Sequence, residues 1–377
     1  MLRGLLRGPL RGLLRGNERI KMQILASELK HTLKKLAPLK AETYQISENG
    51  LSAQDPSEVW VICASSLSEL GKTLSFSGKK FSQVITRMSG ELDITAEENK
   101  LIIQSYKAKV ELEARAVLKP TPPASAEKYV TLKLAELKSA LAIATASASP
   151  KKSEAFGGVV LLQSLPTPVF EDGGTPTGYR VVGTDSRVLT VVQRDAPVTF
   201  EFKYPLNLTA AAIVQFMDED TVEIGDTDSS LILKSGSDVV YASKPSKAYP
   251  DFGKLIATKH PVVLQISSEK WGQALRTVET LIDEEKDHGN ISLHFKDGVV
   301  QFSTIGIGST ASDEAGYEQV TPDPVFDPKE FSMKVKAKYL SGFLAKSSGS
   351  ATISVTSSKI PIRYECGQVV AITTPAE

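Results

Sequence analysis

A pattern of one short helix followed by three strands occurs three times along the chain. The copies occupy residues 79–115, 208–243 and 336–374. In each copy an apolar helical face leads into a small or acidic turn. Apolar and polar residues then alternate through three strands that are separated by polar turns. A repeat of this kind predicts the architecture of the whole chain, because each unit buries its apolar face against its neighbours.

A second set of helices precedes these units. Apolar residues at helical spacing predict helices over 28–36, 135–146 and 268–282, and Ser27 and Ser267 are placed to cap the first and the third. The helices begin near residues 27, 135 and 268, which is an interval of about 110–130 residues. The sequence therefore predicts an α+β fold of three similar domains, each with two helices on one face of curved antiparallel sheets.

We place the domain boundaries at 22–120, 128–256 and 261–377. The first domain ends at the segment 119–123, which contains three prolines. Proline removes a backbone donor and fixes φ, so this segment is expected to interrupt both helix and sheet and to act as a stiff linker.

Residues 1–21 form a low-complexity leader in which LRGLLRG occurs on both sides of Pro9. Six arginine and lysine residues against Glu18 give it a net charge of +5. Three interpretations are open: an extension upstream of a true start at Met22, a disordered basic tail, or a basic membrane anchor. Glycine at every third or fourth position costs about 1 kcal/mol each in a helix, which weighs against the anchor. We favour the first interpretation.

Composition is that of a soluble globular protein, with 41% hydrophobic and 23% charged residues in 377. The net charge of the whole chain is zero, so the part after the leader carries −5. Such a body does not coat nucleic acid indiscriminately, and any DNA binding needs a local basic face. Cys63 and Cys366 lie in strand-like runs and are expected to be buried thiols in a reducing compartment. No apolar run approaches the roughly 20 residues of a transmembrane helix.

Catalytic motifs are weak throughout the sequence. Ser149 and Lys152 have SxxK spacing but fall in a loop, and Gly306 and Gly308 form GxG without a third glycine or a following helix. His288 and His294 near the acidic run 283–285 could suggest a metal, but a solvated helix end is the simpler interpretation. No P-loop is present. We therefore expect a protein that is not an enzyme and holds no cofactor.

Basic residues recur on or beside the three first helices. Lysines on one face attract phosphates without reading base sequence. No aromatic stripe is interleaved to stack bases, so duplex DNA is favoured over single strands. An ordinary amphipathic surface is the alternative for each helix taken alone. The candidate DNA-binding residues are Lys30, His31, Lys34, Lys35, Lys138, Lys151, Lys152, Lys270 and Arg276.

Three segments resemble the beta sliding clamp of bacterial DNA polymerase III. GTDSRVL at 183–189 is similar to the family's ATDGHRLA-type strand end. YPDF at 249–252 is similar to its FPDY at the junction of domains two and three, and VVAITTP at 369–375 resembles its closing strand. The resemblance covers 22–375 and implies a head-to-tail dimeric ring around duplex DNA.

In that family the three segments form a hydrophobic pocket for short linear peptides of polymerases, clamp loaders and repair enzymes. Here Ser186 and Arg187 replace the family's Gly-His-Arg stretch with one residue fewer, and the terminal Met-Pro-Met is absent. The peptide preference is therefore expected to differ, and the divergence favours a bacteriophage clamp. Carried over, the pocket residues are Thr184, Arg187, Leu189, Pro250, Leu255, Val369, Val370 and Ile372, with Val160 or a neighbour on the adjoining strand.

The resemblance also implies a dimer between the first domain of one chain and the third of the next. Val110, Leu112, Leu281 and Ile282 lie at matching positions, with plain core as the equal alternative. The implied function is a processivity clamp with no chemistry of its own. Its implied partners are duplex DNA, a DNA polymerase, an ATP-driven clamp loader and a second copy of the chain, with no membrane. Its expected location is the cytoplasm of a bacterium or of a phage-infected host.

A different class of function fits the same repeats. A structural or adaptor protein could use these domains without encircling DNA. A clamp predicts that the lysines of the first helices line the hole of a ring, whereas outward-facing lysines would favour the adaptor.

Overall fold

The computed structural model describes most of the chain after the leader. The described residues are 20–55, 59–97, 99–117, 125–150, 157–165, 178–198, 200–245, 248–257, 262–282, 289–296, 298–305, 312–319, 331–344, 349–355 and 360–375.

One order of elements, strand–helix–four strands–helix–three strands, occurs three times. The first copy contains β1 (Ile20–Leu25), α1 (Ala26–Leu36), β2 (Thr43–Ser47), β3 (Gly50–Gln54), β4 (Val59–Cys63), β5 (Leu74–Ser77), α2 (Gly78–Arg87), β6 (Glu91–Ala96), β7 (Lys100–Gln104) and β8 (Lys109–Ala116). The second contains β9 (Tyr129–Lys133), α3 (Leu134–Ala144), β10 (Val159–Ser164), β11 (Gly178–Thr184), β12 (Val188–Asp195), β13 (Lys203–Asn207), α4 (Leu208–Val214), β14 (Thr221–Asp226), β15 (Ser230–Ser235) and β16 (Asp238–Ser243).

A one-turn helix, α5 (Gly253–Ala257), joins the second copy to the third. The third contains β17 (Val262–Ser267), α6 (Ser268–Glu279), β18 (Asn290–Lys296), β19 (Val299–Thr304), β20 (Ser312–Gln319), β21 (Phe331–Lys336), α7 (Ala337–Leu344), β22 (Ser350–Val355), β23 (Ile362–Cys366) and β24 (Val369–Thr373). Short 3-10 helices lie at Ala37–Leu39, Ser66–Leu70 and Thr145–Ser147.

Strand pairing repeats together with element order, and every described pair is antiparallel. The sets β1–β6–β7–β8, β9–β14–β15–β16 and β17–β22–β23–β24 are equivalent. So are β5–β2–β3–β4, β13–β10–β11–β12 and β21–β18–β19–β20. Each copy is therefore built from two four-stranded sets and two helices, which is the predicted α+β architecture. In the first copy β5 also pairs with β8, and in the third β17 also pairs with β20, so the two sets of each of these copies are joined into one sheet.

The chain folds into two compact units, each with more contacts within itself than with the other. The first holds Met1–Pro56 and Trp60–Pro122, and the second holds Ser57–Val59 and Pro123–Glu377. The second unit thus contains both later copies, which are joined where β12 pairs with β24. The individual boundaries of three domains stay a prediction.

Helix burial follows the periodicity of the sequence. Leu29, Leu33 and Leu36 of α1 are buried, and in the third copy Trp271 is fully buried and donates from Nε1 to the Gly316 carbonyl oxygen at 3.1 Å. The indole proton therefore has a partner inside an apolar layer, which removes the cost of burying it. Among the described residues, no helix is long and apolar enough to cross a membrane.

Four sequence predictions differ from the structure. Helix α1 begins at Ala26 without a side-chain cap, so Ser27 lies inside its first turn. Ser267 does cap α6, accepting from the Lys270 amide at 3.4 Å, but α6 ends at Glu279, before Leu281. Helix α3 ends at Ala144 and continues only as a 3-10 turn. Cys63 is buried as expected, whereas Cys366 is only half-buried at the end of β23.

Gly183 marks the closest approach between α3 and the strand β11. A Cβ atom built there would lie 1.9 Å from the Ala144 carbonyl oxygen. The obstacle is helix backbone, which cannot move aside as a flexible side chain would. Glycine is therefore required in the GTDSRVL segment for packing.

We expect Gly183→Ala to lower the free energy of unfolding of the second unit by about 3 kcal/mol or more, because the added methyl forces α3 away from the sheet. Gly316→Ala is the control, since its Cβ would meet nothing closer than 3.8 Å. Chemical denaturation measures both variants. Equal stability of the two would contradict this account of the packing.

Candidate functional site

The last strand of the chain completes the sheet of the second copy. β24 pairs with β12 so that Leu189 lies opposite Ile372 and Val191 lies opposite Val370. The pairing continues beyond β24, where the amide and hydroxyl of Thr374 both donate to the Arg187 carbonyl oxygen, at 2.9 and 3.1 Å. Two segments that are far apart in sequence are therefore held side by side, and we call this junction the seam.

An apolar cluster lies on one face of the seam. Its members come from β10, β11, β12, β24 and the loop that follows β16. They are Val159, Leu161, Val182, Leu189, Val191, Tyr249, Phe252 and Ile372, with Ile256 and Val370 partly buried against them. These eight side chains are buried against one another, so the cluster is packed core, and Ile256 and Val370 lie at its partly exposed edge.

A tight turn between β11 and β12 borders this cluster. Asp185 Oδ1 accepts from the amides of Arg187 and Val188, each at 3.0 Å. Thr184 Oγ1 donates to the Val188 carbonyl oxygen at 2.7 Å. Ser186 has φ 73, a left-handed conformation that non-glycine residues rarely adopt. The side chains of the two residues before Ser186 therefore hold a backbone conformation that the chain would otherwise avoid.

Helix α5 and the loop before it border the cluster on another side. The Tyr249 hydroxyl donates to the Val182 carbonyl oxygen at 3.1 Å, and burial raises the pKa of this tyrosine. The Arg180 guanidinium lies 4.8 Å from the centroid of the Phe252 ring. Burial lowers the pKa of Arg180, and the charge of Asp251 opposes that shift.

The structure brings only part of the predicted pocket together. Leu189, Val370 and Ile372 belong to the cluster. Successive residues of a strand face opposite sides of the sheet. Val369 is buried but is not part of the cluster, as expected from its position one residue before Val370. For the same reason Val160 is absent from it, while its two neighbours on β10 are members.

The other predicted pocket residues lie at the border of the cluster. Thr184 is buried within the turn, and Arg187 is exposed at its tip. Pro250 is half-buried, and Leu255 on α5 is 48% exposed. Leu255 thus adds exposed apolar surface next to Ile256, which packs against the cluster.

Sequence reasoning missed four residues here. Asp185 lies inside the GTDSRVL segment, and its ability to cap its own turn is a recognisable signal. Arg180, Tyr339 and Arg363 carry no such signal. Tyr339 donates to Asp185 Oδ2 at 2.6 Å across 154 residues of sequence, and a contact at that separation has no local pattern.

The predicted basic residues fall into three groups. In the first unit, His31 and Lys34 are exposed on α1, and Lys30 and Lys35 are half-buried. In the second unit, Lys270 and Arg276 are exposed on α6. Lys138 on α3 is half-buried, and its ammonium group donates a hydrogen bond to the Met217 carbonyl oxygen within the protein. Lys151 and Lys152 lie outside the described residues.

The four residues predicted at a subunit contact differ in exposure. Leu112 is buried, and Val110 is half-buried on β8. Leu281 is 44% exposed just after α6 ends, and Ile282 is half-buried. Plain core therefore accounts for Leu112 but leaves Leu281 unexplained.

The weak enzyme motifs gain no support in the described part of the chain. Ser149 is buried in a loop, but its SxxK partner Lys152, the Gly306–Gly308 stretch and the acidic run with His288 all lie outside that part. His294 Nδ1 contacts Ser332 Oγ at 2.5 Å. Among the described residues, no group of three or more His, Cys, Asp or Glu could hold a metal ion.

Searches by sequence find no relative: no protein-family model matches the chain, and no curated protein matches it either. Solved structures match along most of its length. The DNA polymerase III beta subunit of Thermotoga maritima has a TM-score of 0.78 at 13% identity, covering 95% of this chain and 99% of that one. The beta subunit of Pseudomonas aeruginosa has a TM-score of 0.77 at 12% identity, covering 95% and 100%.

A third match is a sliding clamp of Bartonella birtlesii bound to griselimycin, with a TM-score of 0.77 at 13% identity, covering 96% of this chain and 100% of that one. The chain therefore has the fold of bacterial beta sliding clamps, and the resemblance seen in the three sequence segments is confirmed at the level of the fold.

Proposed function

We propose that this protein is a DNA sliding clamp, in which two identical chains close head to tail around duplex DNA. The agreement in fold with DNA polymerase III beta subunits over the whole chain carries the proposal. A head-to-tail contact that closes after two copies forms a ring without free edges. The ring acts as a topological tether, so the protein needs no catalytic group and no cofactor.

The seam supports the choice of partners. The exposed Leu255, with the partly buried Ile256 and Val370 at the edge of the apolar cluster, offers a surface for one or two apolar side chains of an extended peptide. In this proposal the peptides belong to a DNA polymerase and to an ATP-driven clamp loader. The proposed location is the cytoplasm of a bacterium or of a phage-infected host.

The proposed subunit contact joins β8 of one chain to the end of α6 in the partner chain. Leu281 supports it, because its side chain is 44% exposed just after α6 and a subunit contact there would remove apolar surface from water. Val110 and Ile282 are half-buried and would complete the contact.

The proposed DNA contacts are electrostatic and not specific to sequence. Lys34 on α1 and Lys270 and Arg276 on α6 are exposed cations that can reach phosphates through water. Lys138 is already bonded within the protein, so in the second copy the proposal relies on Lys151 and Lys152. Weak, non-specific contacts suit a ring that slides.

Threading onto DNA ends tests the ring without a loader. A linear duplex biotinylated at both ends is incubated with concentrated protein, the ends are then blocked with streptavidin, and the DNA is washed in about 0.5 M salt, which removes purely ionic binding. We expect protein to be retained, and to be released when a restriction enzyme cuts the DNA. Blocking the ends before protein is added is the control and should abolish retention.

Retention that ignores the order of blocking, or loss of all protein in the wash, would contradict encirclement. Loss in the wash is the result expected of an adaptor that does not enclose DNA.

Charge reversal tests the face of α1. We expect Lys34→Glu to weaken duplex binding and to reduce the slope of log affinity against log salt by about one, as for the loss of one phosphate contact. Lys107→Glu, at an exposed hairpin tip in the same unit, is the matched control. Fluorescence anisotropy across a salt series measures both. A slope that falls equally in both variants would reject α1 as a DNA-contacting face.

Griselimycin, bound by the Bartonella clamp, probes the seam. We expect the protein to bind it, and Leu255→Asp to weaken that binding at least tenfold, because a carboxylate beside the cluster must be desolvated. Phe216→Asp, which replaces another partly exposed apolar side chain in the same unit, is the control. Titration calorimetry measures both Kd values. Equal Kd values for the two variants would move the binding site away from the seam.

A further inference from the structure

Two side chains of the third copy reach across the seam and hold the two segments that border the apolar cluster. We propose that Tyr339 and Arg363 are positioning residues for ligand binding at the seam. The proposal rests on the proposed peptide-binding function and names residues that contact the protein itself. It is argued first for the turn after β11 and then for α5.

Tyr339 supports the turn through Asp185. The tyrosine hydroxyl donates to Asp185 Oδ2 at 2.6 Å, while Oδ1 of the same carboxylate accepts the amides of Arg187 and Val188 at 3.0 Å. All of the carboxylate's described bonds thus fix one orientation. A short bond to an ionised acceptor is among the stronger hydrogen bonds in proteins.

The turn needs this support because its backbone is strained. Ser186 has a φ of 73°, in the left-handed region that non-glycine residues rarely adopt. The turn leads directly into Val188 and Leu189, and Leu189 is a wall of the cluster. If the Asp185 side chain rotated away, the amides of Arg187 and Val188 would lose their acceptor. The start of β12, and with it the position of Leu189, would then be less well fixed.

Arg363 supports α5 in the same way. It lies on β23 with its side chain only 17% exposed, and its Nη1 donates to the Ile256 carbonyl oxygen. Nε donates to Glu365 Oε1 at 2.8 Å, which holds the guanidinium in place. Helix α5 has five residues, and a single turn is not stable by itself in water. Arg363 therefore fixes the segment that carries Leu255 at the border of the cluster.

Neither residue belongs to the cluster or to the β12–β24 pairing. Removing either interaction should leave the seam folded and loosen only the bordering segment. Ligand affinity and local amide protection should therefore fall more than global stability does. That combination separates positioning from a general structural role.

The test of Tyr339 removes only its hydroxyl. We expect Tyr339→Phe to weaken griselimycin binding about fivefold to tenfold, the size of one hydrogen bond, and to speed hydrogen exchange of the Arg187 and Val188 amides. Tyr364→Phe is the matched control, because the buried Tyr364 hydroxyl has no hydrogen-bond partner among the residues that the structure describes. The control should leave both quantities unchanged.

The test of Arg363 replaces its planar guanidinium by an ammonium group of the same charge. We expect Arg363→Lys to weaken griselimycin binding by a similar factor and to speed exchange of the Ile256 amide, which donates to the Phe252 carbonyl oxygen at 3.1 Å. Arg194→Lys is the control, since Arg194 also bridges the two copies, through Gln368 at 3.3 Å, away from the cluster.

Affinity and amide exchange that match the control variants would overturn the proposal for that residue. Failure of the unaltered protein to bind griselimycin would count against the proposed function instead. In that case the exchange rates of Arg187, Val188 and Ile256 decide alone: faster exchange supports positioning, and unchanged exchange overturns it.

Discussion

The antiparallel pairing of β24 with β12 is the interaction on which the second unit depends. Within the second copy β12 is the last strand of the set β13–β10–β11–β12, and a sheet edge exposes unpaired backbone groups. The last strand of the chain satisfies the edge of β12, from Val188 opposite Thr373 to Val192 opposite Val369. This pairing joins the second and third copies into one continuous sheet and places the C-terminal residues beside the GTDSRVL segment.

The candidate site is a consequence of that pairing. Leu189 and Ile372 meet because they are register partners, and the cluster on their face of the sheet includes side chains from both copies. The polar residues around it hold segments that would not keep their shape alone, namely a left-handed turn and a one-turn helix. The strands thus supply most of the apolar cluster, and long-range hydrogen bonds hold the turn after β11 and helix α5 beside it.

Much of the fold could be predicted from the sequence, because amphipathic periods and repeats are local signals. The three-fold recurrence of helix and strands, the α+β class and the cap at Ser267 all follow from such signals. Strand face was harder: Val160 and Val369 lie in the right strands, yet they are not members of the cluster. Helix ends were also misplaced, since Leu281 was expected inside α6 and is exposed after it. Contacts such as Tyr339 with Asp185 had no signal in the sequence, because they depend on how two copies pack.

Electron microscopy of the purified chain mixed with a short duplex tests the central claim most directly. The account predicts closed rings of two chains, with the duplex passing through the hole and the ends of α6 at the subunit contacts. Single open arcs, or a duplex lying along the outer surface of the protein, would contradict it.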